Sequence, residues 1–283
     1  MMRRLLTALV AVAACATAAP ALAEGEARTP RDVQWTFDGP FGTFDQAQLQ
    51  RGYRVYREVC ASCHSMSLLS FRNLGQRGGP FYDPNFANPN DNPYVRALAA
   101  EAQVADIDSE TGDAIQRPAT SADTLPSPYP NEAAARGANG GAMPPDLSVI
   151  TKARGGGSDY IYSLLVGYVP PPAGLQVTPG SYYNPYMLGD LAAQWRGNPR
   201  NVPEGGFIAM PPPIREAGQV TYDDGTRATV DQMARDVTAF LTWASEPTLV
   251  QRKEMGLAVM IYLIIFAGIV YLSYRQIWRK VAH

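Results

Sequence analysis

Histidine and cysteine are scarce in this chain. Its 283 residues include two histidines, His64 and His283, and three cysteines, Cys15, Cys60 and Cys63. That scarcity rules out a disulfide-stapled scaffold and leaves too few ligands for a four-coordinate zinc site. It also leaves no pairing of a nucleophile with a histidine base, so hydrolytic or transfer chemistry of that kind has no visible machinery. Internal repeats and low-complexity tracts are missing too, which excludes solenoids and linker-like chains. Charge is sparse near both ends and is replaced there by apolar runs.

The first run follows a basic start. "MMRR" precedes "LLTALVAVAACATAAPALA", which closes on Ala21-Leu22-Ala23, the order of a secretory signal peptide with a small-residue cleavage site. The reading is a leader over residues 1–23. "VAAC", ending at Cys15, is a fainter lipoprotein-like alternative. Export takes the chain to a compartment where free thiols are oxidised, so Cys60 and Cys63 must be bridged or covalently occupied. The second run, "MGLAVMIYLIIFAGIVYLSY" at 255–274, is uncharged over the length a bilayer core requires. Arg252 and Lys253 precede it, and Arg275, Arg279 and Lys280 follow, with Tyr271, Tyr274 and Trp278 at the boundary. The cationic excess after the span predicts a cytoplasmic C-terminus and a head on the other side. Residues 251–283 thus read as a membrane anchor and tail, and 24–250 as the exported domain. Removing the one acidic and seven basic residues of the two ends from the chain's 26 and 24 leaves −8 on 24–250. Such a surface repels nucleic acid and favours basic partners.

The two cysteines and His64 lie within "REVCASCHSMSLLSFRNLG". C-x-x-C-H in an exported chain reads as a covalent haem attachment site. Two thiols two residues apart reach the two vinyl groups of one porphyrin edge, and the adjacent histidine then lies beneath the iron. A redox-active pair would be expected beside a β-α-β pattern, which is missing here. Leu49, Tyr53, Tyr56 and Cys60 fall at steps of four, three and four, predicting a helix that ends at the motif. Thr43 with Gln46 reads as its capping box.

An electron-carrying iron needs a second axial ligand, and His283 is on the wrong side of the span. Methionine is the expected substitute, its soft thioether favouring reduced iron. Met66 is too near His64 to reach the opposite face. Met233 shares a helix face with Val237, Phe240 and Ala244, a core pattern, and Met255 opens the span. Met187, Met143 in "GAMPPDLS" and Met210 in "FIAMPPPI" stay open, the last two stiffened by following prolines.

"RGYRVYREVCASCHSMSLLSFRNL", "NGGAMPPDLSVITKARGGGSDYIYSLLVGY", "YYNPY", "IAMPPPI" and "DDGTRATVDQMARDVTAFLTWASEP" occur in that order before the single span. Together they resemble the cytochrome c1 family, the haem subunit of the cytochrome bc1 complex. The resemblance covers nearly the whole exported domain. It implies one haem c, with Met210 opposite His64 and Met143 in the pocket wall. Asn139, Pro144 and Pro145 would line the pocket, and Arg154 and Tyr160 would contact the propionates. The implied fold is mainly α, a c-type cytochrome domain with loop insertions plus one C-terminal transmembrane helix. Two features depart from the family pattern: an added segment, "LGDLAAQWRGNPRNVPEGG", and the lack of the cysteine pair that staples this region in some bacterial relatives.

Between the motifs, "GGPFYDPNFANPNDNPY" reads as loop. "YVRALAAEAQVADID" reads as a short helix leading into Asp106, Asp108, Glu110 and Asp113, a solvated loop rather than a docking patch. The Gly155–Gly157 stretch reads as turn-rich. Thr229 with Gln232 caps a further helix, which Pro247 ends before the anchor.

The resemblance implies a one-electron carrier, not itself an enzyme. It would receive electrons from a Rieske iron-sulfur subunit and deliver them to a cytochrome c. It would be assembled with cytochrome b in a dimeric complex at a bacterial inner membrane, with the haem domain periplasmic. The rivals are a peroxidase-like haem enzyme with an open sixth site and a free-standing anchored cytochrome.

Overall fold

The computed structural model describes residues 26–280; the leader read at 1–23 lies outside the described residues. The described chain is mainly helical, with two small two-stranded sheets. It divides into two compact units: one is Pro30–Val166 with the described part of Ala209–His283, the other Gly167–Ile208 with residues 26–29.

The first unit is organised by two helices, α1 (Gln46–Val55) and α6 (Val230–Ser245). They cross where α1 has no side chain. A Cβ at Gly52 would stand 2.1 Å from the Asp236 carbonyl oxygen and 2.6 Å from Phe240 Cβ, so only glycine allows this approach. Around the crossing, Tyr53 and Tyr56 pack on Phe240 with ring centroids 5.6 and 5.7 Å apart, and Phe240 on Trp243 at 5.6 Å. Phe240 and Trp243 are fully buried, each worth roughly 1.5–3 kcal/mol of hydrophobic stabilisation. Met233 is equally buried on α6, as its helical spacing predicts.

The caps correct one expectation and support another. Asp45, not Thr43, starts α1: its Oδ1 accepts from the N–H groups of Ala47 at 2.9 Å and Gln48 at 3.2 Å. A carboxylate suits the positive end of the helix dipole. Gln46 is drawn away, donating to the Pro80 and Tyr82 carbonyls, and the Thr43 N–H goes to the Thr36 carbonyl. On α6, Thr229 does accept from the Gln232 N–H, at 3.0 Å, but the Gln232 amide donates to Asp236 at 2.9 Å instead of closing a capping box.

The remaining elements of this unit are short. They are α2 (Phe71–Leu74), α3 (Pro93–Ala100), α4 (Glu132–Ala138) and α5 (Gly157–Val166). The acidic stretch is not a loop throughout. β1 (Gln103–Ile107) pairs antiparallel with β2 (Ala114–Pro118), register Asp106 with Ile115. Arg117 donates to Asp106 and, through both terminal nitrogens, to Asp123. Cross-strand pairing thus absorbs one of the four acids, and the rest lie in or beside the turn. α5 starts at Gly157 and carries Tyr160, so the turn-rich reading ends where the glycines do. Tyr162 donates to Asp231, and Ser158 Oγ lies 2.8 Å from Thr242 Oγ1, fastening α5 to α6. After Pro247 the chain resumes as α7 (Leu249–Trp278), 30 residues, none buried, whose most apolar 18-residue stretch has mean hydropathy 2.5. That is about 45 Å of helix, enough to cross a bilayer.

The second unit holds β3 (Tyr182–Asn184) paired antiparallel with β4 (Gly206–Ile208). Leu175, Tyr183 and Leu191 form its own small core, with Trp195 packed against it. Trp195 Nε1 donates to the Asn198 carbonyl at 2.9 Å, and Tyr183 Oη to that of Glu204 at 2.7 Å. The added 188–206 segment therefore packs around an indole.

Candidate functional site

The C-x-x-C-H motif sits where α1 loosens. Beyond Val55 the helix widens into a π-turn, Tyr56–Cys60, closed by the Ala61 N–H on the Tyr56 carbonyl at 2.8 Å. Such turns recur at functional sites because they re-aim side chains. The N–H groups of Cys63 and His64 then both return to the Cys60 carbonyl, at 3.1 and 2.9 Å. Cys60, Cys63 and His64 are thus gathered on one tight turn, and the two thiols are not bridged.

Burial pushes the Cys60 thiol up to about 12, and the neighbouring Cys63 sulfur adds to the rise. A redox-active pair requires the opposite, a stabilised thiolate. Burial also lowers the His64 value, outweighing the upward pulls of the Pro145 carbonyl and the Asp146 charge. The ring is therefore neutral at pH 7, the form that binds metals. Its Nδ1 lies 2.8 Å from the Pro145 carbonyl oxygen, so Nδ1–H donates there and the lone pair is on Nε2.

Pro145 does not hold that position unaided. Asp146, the next residue, accepts from Ser65 Oγ, from the Ser67 N–H and from the Ser148 N–H, each at 2.8 Å. The Leu147 N–H donates to the Ser65 carbonyl at 2.9 Å, and the Leu68 N–H to Ser148 Oγ at 3.1 Å. Burial raises the Asp146 carboxyl, but bonds from Ser148, Ser67 and Ser65 prevail and hold it down at about 2. This ladder fixes the segment after His64 against the segment carrying Pro145. Sequence reading placed Pro145 in the site but missed Asp146 and its serines. The only signal was an aspartate two residues before a serine in "PPDLS", a pattern too common to single out.

The other predicted residues are placed as follows. Asn139 caps α4, its side-chain amide donating to the Ala135 carbonyl at 2.7 Å and to Tyr129 Oη at 3.1 Å. Pro144 is half-buried and Pro145 exposed. Arg154 is exposed, has no carboxylate partner among the described residues, and lies close enough to Tyr160 to lower its phenol against the upward effect of burial. Met143 is 40% exposed, whereas Met187 and Met210 are half-buried. Met210 lies two residues beyond β4, and the prolines after it are clamped by two side chains, one of them Arg215, whose Nε donates to the Pro212 carbonyl at 3.2 Å. Gln219 donates to the Pro213 carbonyl at 2.8 Å and accepts from the Arg215 N–H at 2.9 Å. Ile214, at the end of the proline run, is buried.

A neutral imidazole with one free nitrogen beside two unbridged thiols is a donor set that suits a haem iron. Zinc is poorly served, since no group of three or more histidine, cysteine or acidic side chains converges among the described residues. A helical domain with this turn, carried on one long apolar helix, defines the class of anchored c-type cytochromes.

Comparison with known proteins narrows the class. The model of the Cytochrome C1 family matches residues 35–281. The "Cytochrome b/c1" protein of Bradyrhizobium diazoefficiens is 43% identical over 274 residues, 90% of this chain and 36% of that protein. "Cytochrome c1, heme protein, mitochondrial" of Saccharomyces cerevisiae is 46% identical over 230 residues, covering 81% and 65% respectively. The cytochrome c1 of Rhodospirillum rubrum is 41% identical over 265 residues, covering 88% and 87%. The chain thus spans about a third of the first relative and just under two thirds of the second. It belongs to the cytochrome c1 family, whose cofactor is haem.

Proposed function

We propose that this chain is a one-electron carrier in a quinol:cytochrome c oxidoreductase, holding one haem c covalently through Cys60 and Cys63. His64 and Met210 would hold its iron. The observation that carries this reading is the 2.8 Å contact between His64 Nδ1 and the Pro145 carbonyl, beside two unbridged thiols. When bound, the haem iron supplies the one-electron couple. His64 offers Nε2 as a neutral donor, and Pro145 fixes its tautomer and raises its basicity. Cys60 and Cys63 anchor the group to the turn through thioethers. Met210 presents a soft sulfur from a proline-stiffened loop and so favours the reduced state.

Arg154 contacts a haem carboxylate, a role supported by its lack of an ion-pair partner among the described residues and by the fit of a guanidinium to carboxylate geometry. Tyr160, beside it, shares that role. Asn139 and Pro144 line the pocket, Asn139 by ending α4. The chain's part is electron transfer; turnover belongs to the complex.

Electrons arrive from a Rieske iron-sulfur subunit and leave to a cytochrome c. The net charge of −8 on residues 24–250 supports a basic acceptor, steered at low ionic strength. Cytochrome b receives α7 in the membrane, within a dimeric complex. The leader and the basic residues after the span support a periplasmic haem domain and a cytoplasmic C-terminus, with cleavage after Ala23.

Met210→Leu in the intact complex tests the assignment. Covalent haem is retained, the midpoint potential drops, and quinol-driven cytochrome c reduction is lost. Unchanged redox behaviour would reject Met210.

A further inference from the structure

One exposed aromatic stands apart from its neighbours. In the N-terminal strap of the first unit, Trp35 and Phe37 stack at 5.4 Å, and Phe37 meets Phe44 at 4.9 Å. Trp35 and Phe37 are buried and Phe44 half-buried, yet Phe41, between them in sequence, is 75% exposed. The turn that carries it is built to present it. The Thr43 N–H closes on the Thr36 carbonyl at 2.9 Å, and the Asp38 N–H on the Trp35 carbonyl at 3.2 Å. Gly39 has φ 68°, and a Cβ at Gly42 would lie 2.0 Å from the Asp38 carbonyl oxygen. Both positions thus require glycine.

The same turn is tied to the first residues of α7. Lys253 Nζ donates to the Phe37 carbonyl at 2.6 Å, with the Gly42 carbonyl 3.4 Å away. Lys253 stands two residues before Met255, where the uncharged run begins. A second tie fixes the level of the collar: Gln251 Nε2 donates to the Arg77 carbonyl at 3.1 Å, and Arg77 pairs with Glu254 at 3.3 Å. The head is thus fastened at the point where the helix enters the membrane, and Phe41 projects from that collar. An exposed apolar ring at this level gains free energy by leaving water for the boundary between headgroups and acyl chains, as the Phe, Trp and Leu side chains of interfacial segments do.

We propose that Phe41 inserts into the lipid interface, making the 38–42 turn a second membrane contact beside α7. It would limit rotation of the haem domain about a single helix. The inference rests on the reading of α7 as the anchor.

The test is site-directed spin labelling of the haem-loaded full chain, in its complex, in nanodiscs of phosphatidylcholine and phosphatidylglycerol. Single variants Phe41→Cys, Ile264→Cys and Ser109→Cys carry the label at the turn, in the span and at the exposed hairpin turn. Wild type, its Cys60 and Cys63 occupied by haem, is the control for label taken up at any other thiol, Cys15 included. Oxygen partitions into lipid, and a nickel chelate stays in water. The expected ratio of oxygen to chelate accessibility at 41 exceeds that at 109 several-fold. A ratio at 41 equal to that at 109 overturns the inference. Exclusion of both reagents at 41 overturns it too, because a protein neighbour then covers the ring. A watery reading at 264 instead overturns the anchor, and with it the inference, so the two failures are told apart.

Discussion

The two sides of the proposed iron site are built on different principles. On the imidazole side, His64 follows directly from α1 and is locked by the Pro145 carbonyl, which three hydrogen bonds to Asp146 hold in register. On the thioether side, Met210 stands in an irregular loop with three following prolines, held by the Gln219 side chain and by Arg215 Nε on the Pro212 carbonyl. No cysteine is left to staple that loop. The first side is determined by several independent bonds and the second by limited backbone freedom.

Four changes would break or sharpen this contrast. The largest effect is expected from Gly52→Ala, which drives a methyl into the α1–α6 crossing beneath the imidazole side. We expect a loss of about 3 kcal/mol, the upper end of the usual overpacking cost, measured by urea denaturation of the holoprotein. A loss below about 1 kcal/mol would mean that the helices part easily. Next is Asp146→Asn, which removes the charge that three donors share. It should cost about 1–3 kcal/mol and raise the midpoint potential by weakening the hold on His64. A stability loss with no change in potential would make Asp146 merely structural.

Acid sharpens the comparison further. Because the Asp146 carboxyl titrates near 2 in the fold, below its ordinary 3.8, its contribution is complete above about pH 4. It is lost as the pH falls through about 2. Wild type should therefore lose stability over that window, and Asp146→Asn should lose less. Parallel curves would contradict the sign. The smallest effect is expected from Gln219→Ala, about 1 kcal/mol for its hydrogen bonds. It should still loosen methionine ligation, read as a weakened long-wavelength sulfur-to-iron absorption, while leaving covalent haem intact.

What could be read from sequence followed from locality. The five-residue motif, the Thr229 cap, the stop at Pro247 and the uncharged span are all set by residues near one another in the chain. Asp45 displaced Thr43 as a cap because two N–H groups converge on its carboxylate and Gln46 is recruited by residues 80–82, a contact no local pattern encodes. The acidic stretch concealed a hairpin because Arg117, beyond the acids, pairs with Asp106 across the strands. The order of the added 188–206 segment was not legible because it depends on one indole and a core of three residues. Asp146 escaped notice for the same reason: its partners Ser65 and Ser67 lie some eighty positions away.

The central claim is that His64 and Met210 grip one iron from opposite sides, and the near-infrared spectrum of the oxidised holoprotein addresses it most directly. The sulfur-to-iron band should be present in wild type, persist in Met143→Leu and Met187→Leu, and vanish in Met210→Leu. Its survival in Met210→Leu, or its loss in either of the others, would contradict the account.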